Sequence, residues 1–298
     1  MSEEFFYPSR QEKREGQVAW DDYSVREQAL LLFKSQEFSE LQALILYYLG
    51  KLYSGKAEVF FPAFFLNDLR KKNRYLKLSR QDYQIIWICN GHGGGELKFP
   101  PGFWSWFDQR KENVKESRSK RENKKEDEKR FLVISAHLWT CERMQGGHAN
   151  LLIYDRNKKI VERFEPNGLC AVKNEWYDVE GLDSLLKTKF KEKGVNYRSP
   201  QSPYEGWQRI QIKQAEKEVF RGRESINGVT REEFILNTGF CVIWTMCFLE
   251  WRLNFPEKST HELVSDFTNL LKKSQVNHLT FIKIYCLVLT QKACNLFL

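Results

Sequence analysis

A histidine, a glutamate and a cysteine carry the chemistry that this sequence can do. His148 opens one apolar run and Glu165 closes the next in "GGHANLLIYDRNKKIVERFEPNG", residues Gly146 to Gly168. Runs 148–155 and 159–166 alternate as strands do, around "RNKK", and read as a hairpin. In an antiparallel hairpin the start of one strand lies beside the end of the other. That register makes His148 and Glu165 neighbours. The carboxylate can then accept the imidazole N–H, fix its tautomer and favour its charged form. This is the base-and-orienter half of a nucleophilic triad.

The expected nucleophile is Cys241, in "GFCVIWTMCFLEWRLNFPE" (239–257). It follows Gly239 and Phe240 and opens a strongly apolar helix that stops near Pro256. Unpaired N–H groups and the positive end of the helix dipole favour a thiolate there. The same N–H groups can hold the oxyanion of an acyl intermediate. Gly239 leaves room for an extended substrate. Taken singly, each residue has an ordinary reading: a strand-edge His, a turn Glu before Pro, a core Cys such as Cys247. The joint pattern is what singles them out.

These blocks resemble the adenain-like cysteine peptidases of large DNA viruses, whose fold the SUMO and other ubiquitin-like-protein proteases share. The family order is His, an acidic residue or Asn, an oxyanion Gln, then Cys. His148 with Asn150 two residues later, "ERFEP-x-G" (Glu162 to Gly168), "GFC-x-x-W" (Gly239 to Trp244) and "RL-x-x-P" (Arg252 to Pro256) match the giant-virus pattern in order, over roughly 131–257. The resemblance implies a papain-like superfamily core, with a central sheet flanked by helices and the nucleophile at the start of a buried helix. It implies a thiol protease with Cys241 as nucleophile, His148 as general base and then acid, and Glu165 as orienter. Asn150 is the rival third member. It implies hydrolysis of peptide or isopeptide bonds, after Gly, in viral precursors or ubiquitin-like conjugates. No cofactor or metal is called for.

One departure concerns the oxyanion donor. Cellular relatives carry Gln five or six residues before Cys, where this chain has Ile235 and Leu236. Gln208, in "GWQRIQ", is the candidate, with 212–236 as an inserted loop or flap. Asn237 is the alternative. If neither serves, the site is weak or inactive, and the chain is a binding or structural protein of a virus particle.

The elements that must position these residues are legible as an α+β pattern. Helices are expected over 24–55 (Ser39 as N-cap, Gly55 as stop), 178–194, 239–257, 260–273 and 278–297, and strands over 131–139, 148–155, 159–166 and 195–200. "QDYQIIWICNGHGGGELKFPPGFWSWF" reads as a strand and a glycine loop. Residues 109–130 hold one apolar residue, Val114, and read as a charged linker. They divide a helical and aromatic N-terminal region (1–108) from a peptidase domain (131–298).

Lys plus Arg number 47 against 39 Asp plus Glu, a net +8. That balance favours acidic partners, and much of it sits in 109–130, where weak nucleic-acid contact is conceivable. The seven cysteines are odd in number and scattered, and the N-terminus lacks the basic start and apolar core of a secretory signal. The expected setting is reducing: host-cell cytoplasm or virion, not secreted and without a membrane span. Cys89 and His92 in "CNGHGGG" are two possible ligands, too few for a zinc site. Cys141 and His137 read as structural. The aromatics Phe60, Phe61, Phe64, Phe65, Trp104 and Trp106 read as core or an interface.

Overall fold

A computed structural model of the chain describes residues 39–71, 78–89, 94–111, 129–139, 147–168, 177–200, 206–220, 225–226, 229–230 and 240–296. In chain order the elements are α1 (Ser39–Leu52), β1 (Ala57–Val59), α2 (Ala63–Arg70), α3 (Arg80–Tyr83), β2 (Gln84–Cys89), β3 (Gly95–Lys98) and α4 (Phe103–Arg110). Next come β4 (Phe131–Trp139), β5 (Gly147–Asp155), β6 (Ile160–Phe164), α5 (Val179–Glu192), β7 (Asn196–Arg198) and α6 (Trp207–Phe220). Last are β8 (Ser225–Ile226), β9 (Val229–Thr230), α7 (Cys241–Asn254), α8 (Thr260–Lys273) and α9 (His278–Asn295).

Seven strands form one mixed sheet in the order β3-β2-β4-β5-β6-β7, with β1 paired to β4 beside β2. β4 is "FLVISAHLW", apolar on both faces, as a strand covered from both sides must be. Its odd residues Phe131 and Val133, with Ala149, Leu151 and Ile153 of β5, face α1, α7, α8 and α9. Its even residues Leu132, Ile134 and Leu138, with Leu152 and Tyr154, face Phe103 and Phe107 of α4 and Leu182, Leu186 and Phe190 of α5. Strand alternation thus splits the core into two layers, and the architecture is α+β.

Elements from both sides of the expected boundary at 109–130 share one sheet. β1 and β2, from the N-terminal side, run parallel to β4 and pair with it over Phe131–Val133 and Ser135–Trp139. Each fully buried Val, Leu or Ile is worth about 1.5–3 kcal/mol, so β4 stripped of these neighbours would lose much of its burial. The described residues before 109 thus supply three strands, β1, β2 and β3, to the sheet as well as helices. A charged run signals exposure of that run and says nothing about what pairs on either side of it. Residues 1–38 and 112–128, most of the linker among them, lie outside the described residues. Of the singled-out aromatics, Phe60, Phe61 and Phe65 are buried, Trp104 and Trp106 pack on the α4–α5 layer, and Phe64 is exposed.

The hairpin forms, with a register two residues away from the expected one. Asp155 pairs with Ile160 and Leu151 with Phe164 across the Arg156–Lys159 turn. Continued by one residue, that ladder sets Glu165 opposite Asn150, with His148 on the diagonal. A shift of two keeps every side chain on its original face, because strand side chains alternate with period 2. His148, Asn150 and Glu165 therefore still share a face.

The helix signals hold for the C-terminal half. Asp178 caps α5 through Gly181 N–H at 3.1 Å, and Gly194 (φ 70°) ends that segment. Ser259 and Glu262 form a capping box on α8. The expected flap over 212–236 begins as helix, since α6 runs on to Phe220. Among the described residues no helix is long and apolar enough to cross a membrane.

Candidate active site

β5 delivers His148 in its first turn of pairing, and the side chain is buried. Its Nε2 lies 2.5 Å from Glu165 Oε1. Glu165 sits just past β6, where "FEPNG" folds back on itself: Gly168 N–H donates to the Glu165 carbonyl at 3.0 Å. Gly168 takes φ 71°, which a side chain would disfavour. Asn167 N–H also donates to Glu165 Oε1, at 2.9 Å. The other oxygen, Oε2, accepts from Asn150 Nδ2 at 3.1 Å and stands 3.5 Å from Arg163 Nη1. The carboxylate is thus aimed by groups on both strands and its own turn. Asn150, the rival third member, is a donor to it.

Cys241 arrives from the opposite layer. It is the first residue of α7, and its N-cap, Phe240, offers no side-chain cap. The first-turn N–H groups of α7 therefore have no intrahelical acceptor. The Cys241 thiol hydrogen-bonds the His148 imidazole and accepts from Ala149 N–H, the residue after His148. With Nε2 held by Glu165, Nδ1 is the ring nitrogen left for sulfur. The three expected residues are thus connected in the order thiol, imidazole, carboxylate.

Their electrostatics follow from burial set against pairing. Burial pushes the Cys241 thiol up, but the His148 hydrogen bond and charge and the Ala149 N–H outweigh it, so its pKa is lowered. Burial pushes the His148 imidazole down, but the Glu165 charge and the Cys241 and Glu165 hydrogen bonds lift it to about 10. Burial raises Glu165, and His148, Arg163 and the Asn167 N–H bring it below the ordinary carboxylate range. All three shifts point the same way, toward the thiolate, imidazolium and carboxylate forms. They titrate as one coupled system.

Gln208 is buried near the start of α6, with its backbone N–H donating to Pro166 O at 3.1 Å. Its Oε1 is buried with no protein partner among the described residues. Gly206 lets α6 come this close: a Cβ there would stand 2.1 Å from Pro166 O. Gln208 is thus fixed against the Glu165 turn. Asn237, the alternative donor, and Gly239 lie outside the described residues.

Three nearby groups were not marked as site residues by the sequence. Arg163 is fully buried and alternates with Glu165 on one face of the β6 track. It hydrogen-bonds Asn150 Oδ1, and its Nε and Nη2 each lie 2.8 Å from an Asp183 oxygen on α5. The available signal was a charged residue at an inward position of "ERFEP". Tyr177 places its ring 5.6 Å from that of His148, and its carbonyl accepts from Trp87 Nε1. His137, expected to be structural, is buried beside the site. Its Nε2 accepts from Arg80 Nη1 at 3.3 Å, since a guanidinium only donates. Burial, then the Arg80 and His148 charges, keep its pKa well below the ordinary value, so it is neutral.

Among the described residues no group of three His, Cys, Asp or Glu is arranged to hold a metal ion. Cys89 is buried and in no disulfide among the described residues, while His92, Cys141 and Cys170 lie outside them.

Over 143 residues the chain is 29% identical to a putative ankyrin repeat protein of Acanthamoeba polyphaga mimivirus. The match covers 46% of this chain and spans 17% of that relative's length. No protein-family model matches the chain. No solved structure matches it.

Proposed function

We propose that the chain is a cysteine peptidase of the adenain and SUMO-protease type, with a papain-like core and a Cys241–His148–Glu165 triad. The observation that carries this reading is the buried His148 imidazole, hydrogen-bonded to the Cys241 thiol on one side and to Glu165 on the other. A structural histidine needs one partner. A histidine between a helix-start thiol and an ionised carboxylate has the connectivity of a nucleophile's base.

In this mechanism the Cys241 thiolate attacks the scissile carbonyl carbon. The new C–S bond pushes the carbonyl electron pair onto oxygen, where the Cys241 N–H and its α7 neighbours stabilise it, with Gln208 or Asn237 as side-chain donor. His148 gives its proton to the leaving amine as the C–N bond breaks. The thioester is then attacked by water, whose proton returns to His148, and the acid leaves with the thiolate restored. Glu165 stays ionised throughout and holds the ring in line.

Substrates of this type are proteins cut after glycine, either viral precursors or ubiquitin-like conjugates. A giant-virus relative supports the viral setting. Five described cysteines are buried and none is in a disulfide among the described residues, which supports a reducing compartment such as host cytoplasm or virion. One observation favours a second reading, a weak or inactive member that binds or scaffolds: Cys241 is only 2% exposed. The test is incubation with ubiquitin-like probes ending in an electrophilic glycine and with candidate particle proteins, with Cys241→Ala alongside. Cleavage and labelling lost in the variant support the peptidase. Cleavage retained by Cys241→Ala, or binding with no turnover in either protein, removes it.

A further inference from the structure

We propose that Arg163, clamped by Asp183 of α5, is a positioning residue that keeps Glu165 ionised and aimed at His148. This inference rests on the triad reading and extends it to a second layer. The guanidinium is wholly buried, and a buried cation is expensive unless its donors are used. Two of its nitrogens are fixed on both oxygens of Asp183 at 2.8 Å, a bidentate grip that sets the plane of the group. Tyr197 of β7 holds Asp183 through its hydroxyl and accepts from Arg163 Nε at 3.3 Å. The remaining nitrogen, Nη1, turns to the site. It donates to Asn150 Oδ1 and stands 3.5 Å from Glu165 Oε2. Asn150, with its carbonyl taken by Arg163, can present only its amide to the carboxylate, and it does so at 3.1 Å. One arginine thus orders Asn150 and supplies positive charge to Glu165.

The charged and titratable groups facing Glu165 come from every neighbouring element. They are His148 on β5, Arg163 on β6, Cys241 on α7 and Tyr177 before α5, with Asp183 and Tyr197 behind Arg163 and the Arg80–His137 pair beyond His148. Of these, His148 and Arg163 bring positive charge to the carboxylate. When His148 passes its proton to a leaving group, Arg163 is the cation that stays. An anion left without it in this dry setting would take up a proton at higher pH, and His148 would then lose its partner.

The test uses the full chain and needs no substrate: the rate of Cys241 alkylation by iodoacetamide against pH, with the labelled residue mapped by mass. In Arg163→Met the acid limb should move up by about 1–2 pH units, with Asp183→Asn moving it less. Arg163→Lys should restore part of the shift, since it keeps the charge without the fork. A merely structural arginine would lower thermal stability in all three variants and leave the limb where it was, and that result overturns the proposal. If Arg163→Met does not fold, the Lys and Asn variants decide by the same limb. Failure of the triad reading looks different: wild-type Cys241 would then alkylate like an ordinary thiol.

Discussion

Cys241 and Cys247 lie less than two turns apart in α7, and both are buried, at 2% and 1% exposure. Their thiols are driven in opposite directions. Burial, with a small push from the Glu250 charge, holds Cys247 well above the ordinary thiol range. Cys241 meets the same burial but has the His148 imidazole and the Ala149 N–H against its sulfur, and its pKa falls. Burial alone makes a thiol inert. What separates the two is place: Cys241 stands at the helix start, where His148 and the Ala149 N–H of β5 reach its sulfur.

The largest break in that contrast should come from His148→Ala. Without the imidazolium, Cys241 becomes a second Cys247. If the proposed peptidase reading holds, turnover should drop by about 100- to 10,000-fold, the range set by losing a general base. Alkylation of Cys241 at neutral pH should fall with it.

Glu165→Gln should sharpen the contrast by moving one limb. With the carboxylate charge gone, His148 loses the main group that lifts it to about 10. The alkaline limb of turnover against pH should therefore fall by about 1–3 units. Stability carries the same signature. The folded His148 pKa is raised, so its contribution is whole below the unfolded value of about 6.5 and is lost as pH climbs toward the folded value. Glu165 is lowered, so its contribution is present above the ordinary carboxylate range and is lost on acidification through its folded value. Thermal melts of the wild type should weaken at both ends of the pH scale, and those of Glu165→Gln should weaken less.

Asn150→Ala removes two hydrogen bonds to charged groups, one to Glu165 and one from Arg163, and leaves the Glu165 contacts to His148 and Asn167. A loss of about 1.5–3 kcal/mol for each bond is expected in denaturant unfolding, with a smaller limb shift than in Glu165→Gln. Cys247→Ala should be the mildest. It should cost about 1 kcal/mol from the small cavity and leave the Cys241 alkylation profile unchanged.

The grouping of His148, Glu165 and Cys241 was legible in the sequence because each sits at a boundary that local chemistry announces. His148 begins an alternating run, Glu165 precedes a Pro-Asn-Gly turn, and Cys241 follows glycine at the head of an apolar helix. Even an error of two in register left His148 and Glu165 in contact, since parity alone decides the face. Long-range pairing was not legible. Nothing in "AEV" or "QIIWIC" says that β1 and β2 will lie parallel on one side of β4, across a highly charged stretch. Arg163 escaped for a related reason. Its partner Asp183 is on a helix twenty residues later, and a lone Arg in a strand carries no local mark of its partner.

The most direct test of the central claim is the pH profile of Cys241 alkylation in the folded wild-type chain, read residue by residue by mass. The account predicts that Cys241 reacts ahead of Cys247 at neutral and mildly acidic pH, as a thiolate paired with imidazolium does. A Cys241 that stays silent until the alkaline range of an ordinary thiol, alongside Cys247, would contradict it.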